Sequence, residues 1–342
     1  MKKESPEYLR ISLAAAMTLG FKNGWFYRNA RLPCINLLLT YSLGCIGNCG
    51  YCGLQMRRPG KYKDKSFIRV EWSVYKLTDL IQKISEKEDK IKRICLSMIT
   101  NKKAIKDTSD ITGTLRRNLD IPVSLLISPT ILKKNDLYNF FNSGADKIGI
   151  AVDCATPQLF GKIRGKSVKG PHKWNRYWKC YKEALEIFGK GNVGIHLIVG
   201  LGETEKEMIN TIQKVYDLGG ETHLFSFFPE GESLLANHPM PPIGQYRRVQ
   251  LARYLIDEGI KIYEDFNFDD SGKLTGFGTT MESLYDYIKI GKPFMTSGCV
   301  GKDGEIACNR PYADCLPGPE IRNYPFLPDG KDIKQIMTEI WQ

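Results

Sequence analysis

Residues 35–55, INLLLTYSLGCIGNCGYCGLQ, run from a short apolar segment straight into three cysteines set among glycines. Residues 35–42 show no polar alternation, the pattern of a strand buried on both faces. Cys45, Cys49 and Cys52 then fall within eight positions, spaced C-x3-C-x2-C. A strand that leads into such a loop carries its chemistry at its carboxyl end, where parallel α/β sheets place their sites.

Outward from this strand the chain alternates. Helical spacing at 72–87 precedes an apolar run at 91–100, and the same order repeats through helices at 107–119, 133–144, 175–191, 204–220 and 244–259. Between them lie strand-like runs at 122–128, 147–155, 193–202 and 222–230. Six strands, each followed by a helix, imply a parallel sheet covered by helices. The expected fold is α/β, a partial (β/α)6 TIM-like barrel, with an open doubly wound sheet as the alternative. Residues 1–34 read as an N-terminal helical segment, 35–261 as the barrel and 262–342 as a C-terminal extension. In that extension we expect a hairpin at 266–278, a short helix at 281–291, a loop-like stretch at 293–328 and a last helix at 330–341.

A 342-residue chain with 42% hydrophobic and 25% charged residues has the composition of a soluble globular protein. No run approaches the roughly 18–20 apolar residues of a membrane span. The opening MKKESPEYLRISLAAAMTLGF is interrupted by Glu4, Glu7 and Arg10, so it reads as an amphipathic helix of a cytoplasmic protein, not as a signal peptide. The net charge of +11 is spread along the chain, with short clusters at 57–65, 86–93 and 101–106. A solvated surface explains it first, an acidic protein partner second and nucleic acid third.

Ten cysteines in such a chain favour metal binding over disulfides. Cys95, Cys154 and Cys180 stand alone in strand or helix patterns and read as buried structural thiols. A structural zinc site wants four ligands, and the first triplet has no fourth Cys or His nearby. Thiolates suit iron–sulfur clusters. A cubane held by three cysteines leaves one iron open to substrate or cofactor. Gly44, Gly47 and Gly50 let the backbone wrap around such a body.

This motif, with Tyr51 before its last cysteine, resembles the radical S-adenosylmethionine (SAM) superfamily. The resemblance implies a 4Fe–4S cluster on Cys45, Cys49 and Cys52, S-adenosylmethionine at the open iron, and reductive cleavage to a 5′-deoxyadenosyl radical. It places Tyr51 near adenine. GIAVDCATP (149–157) resembles the biotin synthase segment whose acid binds the ribose hydroxyls, which implies that role for Asp153. IHLIVGLGETEKE (195–207) is similar to the fifth-strand motif of the same relatives, which sets Gly200, Gly202 and Glu203 beside the cofactor. Glu203 reads equally as a first-turn acid of the next helix. Arg176 is the candidate for the cofactor carboxylate, with Arg164 as its rival. The family's G-G-E-like turn is replaced by LSMITN (96–101), where Ser97 and Thr100 are the candidate substitutes.

Cys299, Cys308 and Cys315 form a second triplet, C-x8-C-x6-C, too open for a usual zinc finger and odd in number. We expect a second iron–sulfur cluster there, with its fourth ligand among Ser297, Arg310, Asp314 or the distant Cys34. Stretches 26–42, 219–230, 244–259 and 293–299 are similar to the biotin-synthase-like components of the archaeal-type two-protein lipoyl synthase. That likeness implies sulfur insertion into the octanoyl chain of a lipoyl-carrier protein (an H-protein or E2 lipoyl domain). The second triplet would hold the sulfur source. It further implies a second lipoyl synthase component and a ferredoxin or flavodoxin electron donor. Alternatives are a related radical enzyme acting on a small molecule or on RNA, and a non-catalytic metal-stapled nucleic-acid-binding module.

Overall fold

In the computed structural model, which describes residues 2–28 and 30–342, the six apolar runs lie side by side as parallel strands. Chain order is β1 (Tyr8–Ser12), α1 (Leu13–Leu19), β2 (Cys34–Leu39), β3 (Trp72–Lys76), α2 (Leu77–Ser85), β4 (Arg93–Ser97), α3 (Ala104–Asn118), β5 (Val123–Ile127), α4 (Lys134–Asn142), β6 (Ala145–Asp153), α5 (Pro157–Ile163), α6 (Trp174–Phe188), β7 (Val193–Val199), α7 (Glu205–Asp217), β8 (Glu221–Ser226) and α8 (Ile243–Asp257). The hairpin β9 (Asn267–Phe268) and β10 (Leu274–Gly276) follows, then α9 (Met281–Lys289) and α10 (Gly330–Glu339). The sheet order is β3-β1-β2-β4-β5-β6-β7-β8, a partial α/β barrel whose β2 edge carries an antiparallel ribbon.

That ribbon corrects two expectations. The N-terminal segment is not one helix: Tyr8–Ser12 is a strand, with Leu9 opposite Leu39 and Arg10 opposite Val74. Helix begins only at Leu13, capped by the Ser12 hydroxyl, which accepts from the Ala15 amide, and it ends where Gly20 turns left-handed. Likewise, Trp72–Lys76 pairs with β1 before α2 begins. Each strand is only five residues long, too short for its spacing to outweigh the helical pattern that follows it, so pairing decided both. Helix α5, capped by Thr156 with Pro157 at its first position, was not anticipated from sequence.

Strand register determines what faces the barrel interior. Asn36 lies opposite Cys95, Cys95 opposite Ser124, Leu126 opposite Gly149, Ala151 opposite His196 and His196 opposite His223. Side chains alternate along each strand, so Cys34, Asn36, Cys95, His196 and His223 share the inner face. A side chain at Gly194 would meet His223 Nε2 at 2.4 Å, so this strand glycine makes room for its neighbour's ring.

The C-terminal extension spans the amino end of the barrel. The Leu224 amide donates to Ser297 Oγ (2.8 Å) on one side, and Arg93 Nε donates to the Val300 carbonyl (2.6 Å) on the other. Among the described residues no helix is long and apolar enough to cross a membrane.

Candidate active site

β2 delivers the cysteine loop to the carboxyl end of the barrel, and neighbouring loops clamp it there. The Ile46 amide donates to the Thr100 carbonyl (2.9 Å) and the Gly50 amide to the Ile163 carbonyl (2.9 Å), while Asn101 Nδ2 donates to the Gly44 carbonyl (3.0 Å). Gly44 takes φ +64° with the Tyr62 ring 2.7 Å from where a Cβ would stand, so no other residue fits that turn.

Each thiol of the loop receives one N–H. The Gly47 amide reaches Cys45 Sγ (3.3 Å), the Leu54 amide reaches Cys52 Sγ (3.4 Å), and Arg164 Nε reaches Cys49 Sγ (3.5 Å). Burial pushes the Cys45 and Cys52 thiols up, and such donors act against it by favouring the thiolate. Among the described residues no three Cys, His, Asp or Glu side chains close on a single metal ion. In a multi-iron cluster the thiolates stand on different metal atoms, and three thiols from one loop fit such a body with one iron left open.

The three cysteines line a cavity with about 1190 Å³ of empty space, part of it open to solvent. Its aliphatic and aromatic walls include Leu38, Met98, Ile127, Ile198, Phe225 and Phe227. The polar side is built on Asp153. There the β6–β7 register slips, with Ala151 opposite His196 but Asp153 opposite Leu197, and Asp153 takes φ +65°. A bulge of this kind re-aims a side chain. The Tyr51 hydroxyl donates to Asp153 Oδ2, and an Arg164 nitrogen stands 3.1 Å from the same oxygen. Burial raises the Asp153 pKa, with Arg164 opposing it.

Of the two candidate arginines, the structure places Arg164 at this site and Arg176 away from it. Arg176 donates to the Pro129 carbonyl (3.2 Å) and the Leu132 carbonyl and pairs with Glu183 (3.1 Å), outside the cavity lining. Arg164 is buried under Tyr177 and Phe160, and its guanidinium touches both Cys49 and Asp153. Gly200, Gly202 and Glu203 also stand outside the lining. The Glu203 carboxylate accepts from the Gly200 (2.6 Å) and Leu201 (3.0 Å) amides and braces the turn after β7. Ser97 and Thr100 do line the cavity, Thr100 sharing a hydrogen bond with Ser128 (2.7 Å).

Two features escaped sequence reasoning. Glu230, in the segment after β8, takes hydrogen bonds from Ser66 Oγ (2.5 Å) and the Arg69 amide (2.6 Å), fastening the stretch after the cysteine loop. In the basic run 57–65, Arg58 and Lys65 turn inward, Lys65 Nζ donating to the Gln55 carbonyl (2.8 Å), while Arg57, Lys61 and Lys63 stay exposed.

The second triplet is not assembled. Cys299 and Cys308 border a much smaller pocket, with room for about one water, together with Cys95, His196, His223 and Arg310. The Cys315 thiol instead donates to the Asn309 carbonyl (2.8 Å) and faces an outer pocket beside Tyr27 and Tyr312. His196 and His223 pack edge to face, ring centroids 5.2 Å apart, and burial lowers the pKa of both. A single polar residue inside an apolar strand was the only sequence signal for either.

A family model described as the radical SAM superfamily matches residues 39–215, just over half of the chain. Among solved structures, methylornithine synthase (PylB) superposes with a TM-score of 0.51 at 12% identity, over 72% of this chain and 67% of that one. The FeFe-hydrogenase maturase HydG from Carboxydothermus hydrogenoformans gives 0.51 at 16%, over 67% and 52%. This chain thus spans about two thirds of the length of the first and half of the second. At these identities the likeness is one of fold. No curated protein sequence matches the chain.

Proposed function

The chain belongs to the radical SAM superfamily, and we propose that it inserts sulfur into the octanoyl chain of an octanoyl-lysine carrier domain, as one of a cooperating lipoyl synthase pair. One observation carries this reading: the cysteine-loop cavity and the smaller cysteine cavity share Leu126, His196, Phe225 and Arg310 as common walls. An aliphatic chain entering past Cys45, Cys49 and Cys52 would lie against apolar walls and point toward Cys299 and Cys308.

Cys45, Cys49 and Cys52 would hold the 4Fe–4S cluster that the family implies, with S-adenosylmethionine against Tyr51, Asp153 and Arg164. When bound, these groups supply a carbon-centred radical able to take hydrogen from an unactivated C–H bond. The chain's own residues then have definable tasks. Asp153 offers a carboxylate to paired hydroxyls, Arg164 ties that carboxylate to the cysteine loop, and Met98, Ile198 and Phe227 exclude water and align the acyl chain. The second cysteine group would hold the sulfur source. Exposed Arg57, Lys61 and Lys63 follow the cysteine loop and suit an acidic carrier. A ferredoxin or flavodoxin as electron donor, a second lipoyl synthase component and a cytoplasmic setting complete the proposal.

The test is mass spectrometry of an octanoylated carrier-domain peptide after anaerobic incubation with reconstituted enzyme, reductant and S-adenosylmethionine. A gain of one sulfur is expected, the partner completing the second insertion. Formation of 5′-deoxyadenosine with no sulfur gained would sink the lipoyl reading and leave the family assignment standing.

A further inference from the structure

Cys34, Cys95, Cys299 and Cys308 come from β2, β4 and the C-terminal extension, yet they meet at the amino end of the barrel. Cys34, Cys95 and Cys308 pack together at 0%, 6% and 7% exposure. Buried thiols are ordinarily just small hydrophobes in a core, and three features set this group apart. First, Cys95, Cys299 and Cys308 line one small pocket between the inner strand faces and the C-terminal extension, with Cys34 packed behind Cys95 and Cys308.

Second, polar groups aim at the sulfurs. Asn36 Nδ2 stands 3.5 Å from Cys308 Sγ and 3.8 Å from Cys34 Sγ. His223 Nδ1 lies 2.9 Å from the Ser297 carbonyl, which can only accept, so that nitrogen carries the proton. Nε2 therefore presents a lone pair to Cys299 Sγ, 3.8 Å away. Third, Arg310 brings a positive charge to this cavity. It pairs with Asp314 at 3.7 Å, and its guanidinium lines the same pocket as Cys95, Cys299 and Cys308.

We propose that Cys34, Cys95, Cys299 and Cys308 are the protein ligands of a second iron–sulfur cluster inside the amino end of the barrel, and that Cys315 lies outside the ligand set. This rests on the sulfur-insertion reading above and changes its ligands: Cys95, which sequence placed among structural thiols, enters, and Cys315 leaves. On binding, each thiol exchanges its proton for an Fe–S bond. Arg310 offsets part of the charge left behind.

The experiment is iron and acid-labile sulfide analysis of the full chain after anaerobic reconstitution with iron and sulfide. Electron paramagnetic resonance of the reduced protein, with and without S-adenosylmethionine, accompanies it. The wild-type chain should hold about eight irons, two 4Fe–4S clusters. Cys95→Ser and Cys299→Ser should each fall to about four irons and keep the signal that responds to S-adenosylmethionine, which also reports that they fold. Cys299 sits on a partly exposed loop, so its variant tests the set without disturbing the core. Cys315→Ser should keep the full content. Loss of half the iron in Cys315→Ser, or its retention in both Cys95→Ser and Cys299→Ser, overturns the ligand set and leaves sulfur insertion intact. A wild-type chain with only about four irons overturns the ligand set and the sulfur source together.

Discussion

Arg164 touches a cysteine of the loop and the cavity's carboxylate with one guanidinium, so the state of Asp153 is felt at Cys49. Removing the charge of Asp153 tests this coupling at the residue scale. Asp153→Asn preserves shape but leaves Arg164 buried without its counter-ion and, in the proposed binding mode, removes the carboxylate offered to the ribose hydroxyls. Hydrogen bonds to a charged group are worth about 1.5–3 kcal/mol. S-adenosylmethionine should therefore bind about 10- to 100-fold more weakly, as read by anaerobic calorimetric titration of the reconstituted enzyme. An unchanged affinity would mean that the ribose lies elsewhere.

The turn from β7 into α7 shows how an element holds itself in place. The Glu203 carboxylate is buried and bonded to two backbone amides of its own turn, and burial wins, raising its pKa from 4.5 to about 7. In the unfolded chain Glu203 ionises near 4.5, so between pH 4.5 and 7 the folded state binds more protons. Stability from this group is then full below the lower value and is lost as pH rises through the upper one, by about 3 kcal/mol in total. Glu203→Gln should flatten that loss. Anaerobic melting temperatures at both ends of this range should differ by a few degrees less in the variant than in the wild type. Equal slopes would show that the carboxylate is ionised throughout.

At the scale of the whole molecule, α8 ties the barrel to its C-terminal extension through buried charge. Arg248 pairs with Glu205 at the start of α7 (2.6 Å) and donates to the Ile340 carbonyl (2.7 Å), while Arg247 pairs with Glu339 of α10 (2.8 Å). Both arginines are 2% exposed or less. Breaking a buried pair costs about 3–5 kcal/mol because the remaining charge stays unpaired, whereas replacing both partners is often neutral. Arg248→Met should lower the melting temperature by several degrees, and Arg248→Met with Glu205→Met should recover most of it. If the double variant is no better than the single one, Arg248 acts through its carbonyl contacts.

Legibility followed the range over which each feature is encoded. The parallel strands β2 and β4 to β8, the covering helices other than α5 and the Cys45–Cys52 loop could be read because apolar runs, helical spacing and cysteine spacing lie within a few residues of one another. Tyr8–Ser12 could not be read as strand, since its conformation depends on pairing with Leu37–Leu39 and Trp72–Lys76. Arg164 and Arg176 are equivalent as letters, and only the path of the chain after α5 puts one beside Asp153. The cysteines divide in the same way. Local spacing grouped Cys299, Cys308 and Cys315, but register, which sets Asn36 against Cys95, together with the docking of the C-terminal extension, brought Cys34, Cys95 and Cys308 together. The sequence by itself therefore determined the family, the parallel strands and the first cysteine site, all of which are local in the chain. Tertiary structure alone decided which distant side chains share the barrel interior, because that depends on strand register and long-range packing.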